Sequence, residues 1–110
     1  MEMTKALAAL AALSQPTRLD AFRLLIGAAP KGLLAGEICK KLGVRPNTLS
    51  ANLLVLLNAG LVTNRREGRA VRYLADMDGM RGLLAFLMED CCGGHPDLCR
   101  PILAELACAE

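Results

Sequence analysis

"AGEICKKLGVRPNTLSANLLVLLNAGLV", residues 35–62, decides how this chain folds. Together with Leu34, its first part spells a short helix through Leu42, and Gly43 stands where helices end in left-handed backbone. Only the turn Gly43-Val44-Arg45-Pro46 separates it from a second helical run, Asn47 to Gly60. In that run Leu49, Leu53, Leu56 and Leu57 recur at the spacing of one buried helix face. Two short helices joined by a tight, Gly-containing turn make a helix-turn-helix.

Outward from this pair, the N-terminal side is helical. Residues 3–13 are rich in Ala and Leu, with Leu7, Leu10 and Leu13 as an apolar stripe. Ser14 offers a cap and Pro16 a first turn for a helix to about Gly27, with Leu19, Phe22, Leu25 and Ile26 on one face. On the C-terminal side the period changes. "LVTNRR" and "RAVRYLA" read as two strands around a Glu67-Gly68 turn. From Asp78 the helical period returns, with Leu83, Leu84, Leu87 and Met88 apolar, until Gly93-Gly94 stops it. A last helix is expected from Pro101, where a missing N–H costs nothing. The expected fold is mainly α, five to six helices with one two-stranded β-hairpin, in a single domain over residues 1–110.

With 110 residues, 54% of them apolar, the chain builds one core and not two. Its charge is divided. Residues 1–75 carry eleven Lys and Arg against four Asp and Glu, whereas residues 76–110 carry two against seven. A polyanion partner therefore suits the body and not the tail. No apolar run approaches the roughly 18 residues needed to cross a bilayer. Five cysteines, an odd number without a secreted disulfide spacing, point to a reduced, cytoplasmic setting.

A helix-turn-helix followed at once by a basic hairpin is a winged helix, which lays its second helix in the major groove and its hairpin along the backbone. The start of that second helix is polar: Asn47, Thr48, Ser50 and Asn52 supply short donors and acceptors for base edges and phosphates, with Arg45 in the turn before them. Arg65, Arg66, Arg69 and Arg72 of the hairpin supply electrostatics that weaken with salt. The expected partner is duplex DNA.

"LSQPTRLDAFRLL", "AGEICKKLGVRPNTLSANLLVLLNAGLV" and "NRREGRAVRYLA" together resemble the ArsR/SmtB family of small dimeric winged-helix metalloregulators. The resemblance runs over residues 5–76 and is most specific from Ala35 to Tyr73. It implies a homodimer joined by the first and last helices, bound to an operator and released by an ion, with residues 78–110 as the dimerisation and sensing segment. Two departures stand out. Where members have Ser-x-His-Leu this chain has Ser50-Ala51-Asn52-Leu53, and where many carry a charged residue next it has Leu54 and Val55.

The resemblance also directs attention to the cysteines. The family's best-known arsenic site is a Cys-x-Cys-x-x-Cys run on the first helix of the pair; here only Cys39 stands in it, and one thiolate traps poorly. Cys39 reads instead as a small buried hydrophobe. Its zinc site needs more than this chain's single His95. Other members hold arsenite on a vicinal cysteine pair with a third cysteine beyond, and Cys91, Cys92 and Cys99 look like those. Adjacent thiolates on regular helix point about 100° apart, so Gly93-Gly94 would have to turn the chain back. Near the start of the last helix, Cys99 gains from the helix dipole. Soft As(III) or Sb(III) is satisfied by three sulfurs. Zinc held with His95, cadmium, lead, methylated arsenic and redox sensing are the alternatives for the same residues. A thiol-dependent enzyme would need a positioned acid or base and a pocket, which the sequence does not offer. The expectation is a non-enzymatic, As(III)- or Sb(III)-responsive repressor with no organic cofactor.

Overall fold

The computed structural model describes residues 1–89 and 96–106. In chain order these form α1 (Met3–Leu13), α2 (Pro16–Gly27), β1 (Leu33–Leu34), α3 (Ala35–Leu42), α4 (Pro46–Asn58), β2 (Val62–Glu67), β3 (Ala70–Ala75), α5 (Met77–Leu87) and α6 (Pro96–Leu106). The architecture is a winged helix-turn-helix with α3 and α4 as the pair and β2–β3 as the wing, as the sequence implied. The sheet has three strands rather than two, antiparallel in the order β1-β3-β2.

The helix boundaries follow from local chemistry. Gly43 adopts φ 66° and its N–H donates to the Cys39 carbonyl at 2.8 Å, which ends α3 and turns the chain into α4. Pro46 occupies the first turn of α4. At α3, the Glu37 carboxylate accepts from the Leu34 N–H at 2.8 Å. For α2 the cap is Gln15, whose side-chain oxygen accepts from the Arg18 N–H at 2.8 Å. Ser14, the expected cap, closes α1 instead, its hydroxyl donating to the Ala11 carbonyl at 2.7 Å.

The core is built from Ala6, Ala9, Ala12, Ala21, Phe22, Leu25, Ile38, Leu49, Leu53, Leu56, Leu61, Val62 and Leu83. Along α4 the leucines expected inside are inside: Leu49, Leu53 and Leu56 are buried and Leu57 packs against them. Along α1 the opposite stripe is buried. Its alanines face the core, and Leu7 and Leu10 are 57% and 40% exposed. Small side chains let the α1 backbone lie close to α2 and α4, which a row of leucines would hold away. Leu19 of α2 also faces outward.

In the wing, Val62 pairs with Ala75, Arg65 with Arg72 and Glu67 with Ala70, so Gly68-Arg69 make a two-residue connection. The unforeseen β1 adds to the other edge of β3, Leu33 opposite Tyr73. It follows Gly32, where a Cβ would collide with the Tyr73 carbonyl. Helix α6 begins at Pro96, five residues before the expected start, and Pro101 lies inside it. No helix among the described residues is long and apolar enough to cross a membrane.

Candidate nucleic-acid interface

Helix α4 presents Asn47, Thr48, Ser50, Ala51, Leu54 and Val55 to solvent. It carries no acidic residue, and Arg45 precedes it as an exposed N-cap residue. Asn47, Thr48 and Ser50, expected from the sequence to contact bases and phosphates, are thus exposed. Asn52 does not stand with them. It is half-buried; its Oδ1 accepts from Arg18 Nη1 at 3.3 Å and its Nδ2 donates to the Thr48 carbonyl at 3.0 Å.

Arg18 is a functional candidate that the sequence reading missed. From α2 its Nε donates to the Ala12 carbonyl at 2.6 Å, and Nη2 reaches the Ala11 carbonyl at 3.5 Å. One guanidinium thereby ties the end of α1 to the side of α4. Its partners stand up to 34 residues away, so no local pattern marks it.

The four wing arginines separate into two kinds. Strand register places Arg65 opposite Arg72 on one face, with Glu67 two residues on. A single Glu67 oxygen accepts from both, Arg65 Nε and Arg72 Nε each at 2.9 Å. The hydrogen bond from Arg72, then that from Arg65, holds the Glu67 carboxyl below its ordinary range, and Glu67 in turn raises Arg72. The Arg72 side chain is only 14% exposed and also donates to the Lys31 and Gly32 carbonyls at 3.5 Å. It braces β1 against the wing. Arg66 and Arg69 are exposed and enter no ion pair among the described residues.

A helix-turn-helix domain family matches residues 13–65. The chain is similar to HlyU from Vibrio cholerae N16961, at 30% identity over 79% of this chain and 97% of that one, with a TM-score of 0.63. The same protein in reduced form matches at 30% identity over 76% and 88%, TM-score 0.61. The homodimeric winged helix-turn-helix domain Mb0332 from Mycobacterium bovis, a possible ArsR-family regulator, matches at 28% over 80% and 82%, TM-score 0.64. The chain belongs to the ArsR/HlyU type of winged-helix transcriptional regulators. No protein in the curated set matches it.

In this regulator α5 begins directly against the turn that follows α4. The Asp76 N–H donates to the Leu61 carbonyl at 2.8 Å, just past the end of α4. Asp76 caps α5 through the Gly79 N–H at 3.0 Å. At Gly79 a Cβ would overlap the Gly60 carbonyl oxygen, so α5 meets the turn after α4 backbone to backbone.

Of the expected ion ligands, Cys91 and Cys92 lie outside the described residues, as do His95 and Cys108. Cys99 sits in α6, 9% exposed and disulfide-bonded. Cys39 is a free thiol, half-buried against the core, in keeping with its reading as a small hydrophobe. Among the described residues no three His, Cys, Asp or Glu side chains cluster as a metal site.

Proposed function

We propose that the regulator is a cytoplasmic homodimeric repressor that leaves its operator when As(III) or Sb(III) binds Cys91, Cys92 and Cys99. The observation that carries the operator half is the acid-free, exposed face of α4, with the wing's exposed Arg66 and Arg69 in no ion pair among the described residues. On this reading the face offers hydrogen-bonding groups for base edges, and the wing cations for phosphates. The dimer is supported by exposed apolar side chains on three helices. Met3, Leu7 and Leu10 of α1, Leu84 and Leu87 of α5, and Leu98, Ile102, Leu103 and Leu106 of α6 are all 40% or more exposed. The homodimeric state of the mycobacterial neighbour agrees with this.

The sensing half rests on the cysteines and on the position of α5. Three thiols replace the three hydroxides of neutral As(OH)₃, releasing three waters, and the acidic tail does not repel an uncharged ligand. The Cys99 disulfide has to be reduced first. Movement of the C-terminal segment then reaches α4 through α5, because Asp76 and Gly79 rest on Leu61 and Gly60. A coupling of about 1–3 kcal/mol per site is enough to weaken operator binding. In reducing buffer, arsenite should raise the dissociation constant for operator DNA in a fluorescence-anisotropy titration. Cys99→Ser should bind DNA normally and ignore arsenite; a normal arsenite response from that variant would remove Cys99 from the site.

A second reading is favoured by one observation, the disulfide at Cys99. In it, oxidation of the thiols is itself the signal, and a peroxide can be the oxidant, reduced to two waters as two thiols become one disulfide. A change in DNA affinity between peroxide-treated and dithiothreitol-treated protein, with arsenic absent, would establish that reading. Cadmium, lead, zinc and methylated arsenic complete the titration panel.

A further inference from the structure

We infer that the regulator selects its operator partly through thymine 5-methyl groups, read by an apolar patch of Ala51, Leu54 and Val55 at the centre of the α4 face. The inference rests on the operator-binding reading above and names what that face recognises.

Successive residues of a helix lie about 100° apart, so Asn47, Ala51, Leu54 and Asn58 follow one line along α4, flanked by Ser50 and Val55. Diametrically opposite are Leu49, Leu53 and Leu56, at 1%, 1% and 0% exposure. The orientation of α4 is therefore settled by its buried side, and the line through Leu54 is the outward one. Leu54 is 55% exposed and Val55 38%. They continue the face formed by Asn47, Thr48 and Ser50, with no charge between.

The hydrogen-bonding content of that face is short. Asn52 is half-buried, and its amide is engaged by Arg18 and by the Thr48 carbonyl of its own helix. Among the fully exposed side chains of α4, donors and acceptors therefore end at Ser50, and the next turn offers only carbon until Asn58. In the major groove the one apolar group on any base pair is the thymine methyl, which alkyl side chains contact. Ala51 and Leu54 are about 4.5 Å apart along the axis, enough to meet one or two neighbouring base pairs. Phosphate neutralisation is supplied from outside the patch by exposed Lys40, Lys41, Arg45, Arg66 and Arg69, so the patch stays continuous with a surface suited to DNA.

The test uses the full chain in reducing buffer and duplexes that it selects from a random pool. Each thymine of a selected site is replaced in turn by deoxyuridine, which keeps every hydrogen bond and removes only the methyl. At one or two positions per half-site the replacement should weaken wild-type binding roughly fourfold, the factor for burying one methyl-sized group. Leu54→Ala should melt at the wild-type temperature and lose that discrimination, binding thymine and deoxyuridine sites equally. Wild-type indifference to every deoxyuridine, or an unchanged ratio in Leu54→Ala, would overturn the methyl readout while leaving operator binding intact. Failure to select any sequence would instead bring down the operator reading itself.

Discussion

The recognition helix and the wing are built from opposite materials. Helix α4 has no ionisable side chain from Pro46 to Asn58, and its outward face is made of short polar and alkyl groups. The wing is the most charged part of the chain, yet two of its four arginines share one glutamate and one of those is folded into the sheet. The difference teaches that charge along a sequence overstates charge available to a partner. Specificity can reside in the uncharged element, and part of the salt-dependent affinity in two arginines of the other.

The hardest way to break this division is inside α4, where adjacent leucines have opposite duties. Leu53→Ala should cost about 2–5 kcal/mol of stability in chemical denaturation, because it empties a fully packed site. Leu54→Ala should cost less than about 0.5 kcal/mol. Equal losses would mean that α4 is rotated from the orientation described.

A smaller effect separates helix from wing. Replacing Arg66 and Arg69 together by Gln should reduce the slope of log affinity against log salt by about 2. Asn47→Ala should lower affinity at every salt concentration and leave the slope alone. A slope that changed with Asn47, or persisted without the two arginines, would erase the distinction.

The smallest effect tests the arginines called committed. Because the folded carboxyl of Glu67 titrates below its ordinary value, the bridge contributes above the unfolded carboxylate range and is lost as pH falls through the folded pKa. Titration of Glu67 by NMR should show that downward displacement, and Arg72→Gln should return the carboxyl toward its ordinary range. An unchanged titration in that variant would show Arg72 free of the bridge. The group is exposed, so the effect belongs to wing geometry and not to global stability.

The parts legible in the sequence were those fixed within a few residues. The α3–turn–α4 unit announced itself through Gly43, Pro46 and the leucine period, and the hairpin through alternating residues around Gly68. The two-residue β1 carries no pattern of its own and exists only because Gly32 lets it approach β3. Helix α1 shows how packing overrides a leucine stripe: Leu13 packs against the core as expected, but Leu7 and Leu10 are exposed because close packing against α2 and α4 selected Ala6, Ala9 and Ala12. The candidate DNA residues Asn47, Thr48 and Ser50 are exposed, whereas Asn52 is half-buried and held by Arg18 from another helix.

The sequence by itself determined the order of elements, the helix-turn-helix, the wing and the acidic, cysteine-bearing end. Each depends on propensities and turn chemistry that act over neighbouring residues. Packing and strand pairing settled which arginines enter ion pairs among the described residues, which stripe of α1 is buried, and that α5 rests on the carbonyls of the turn after α4. Those outcomes depend on strand register and on how closely two backbones approach, quantities set by contacts far apart in the chain.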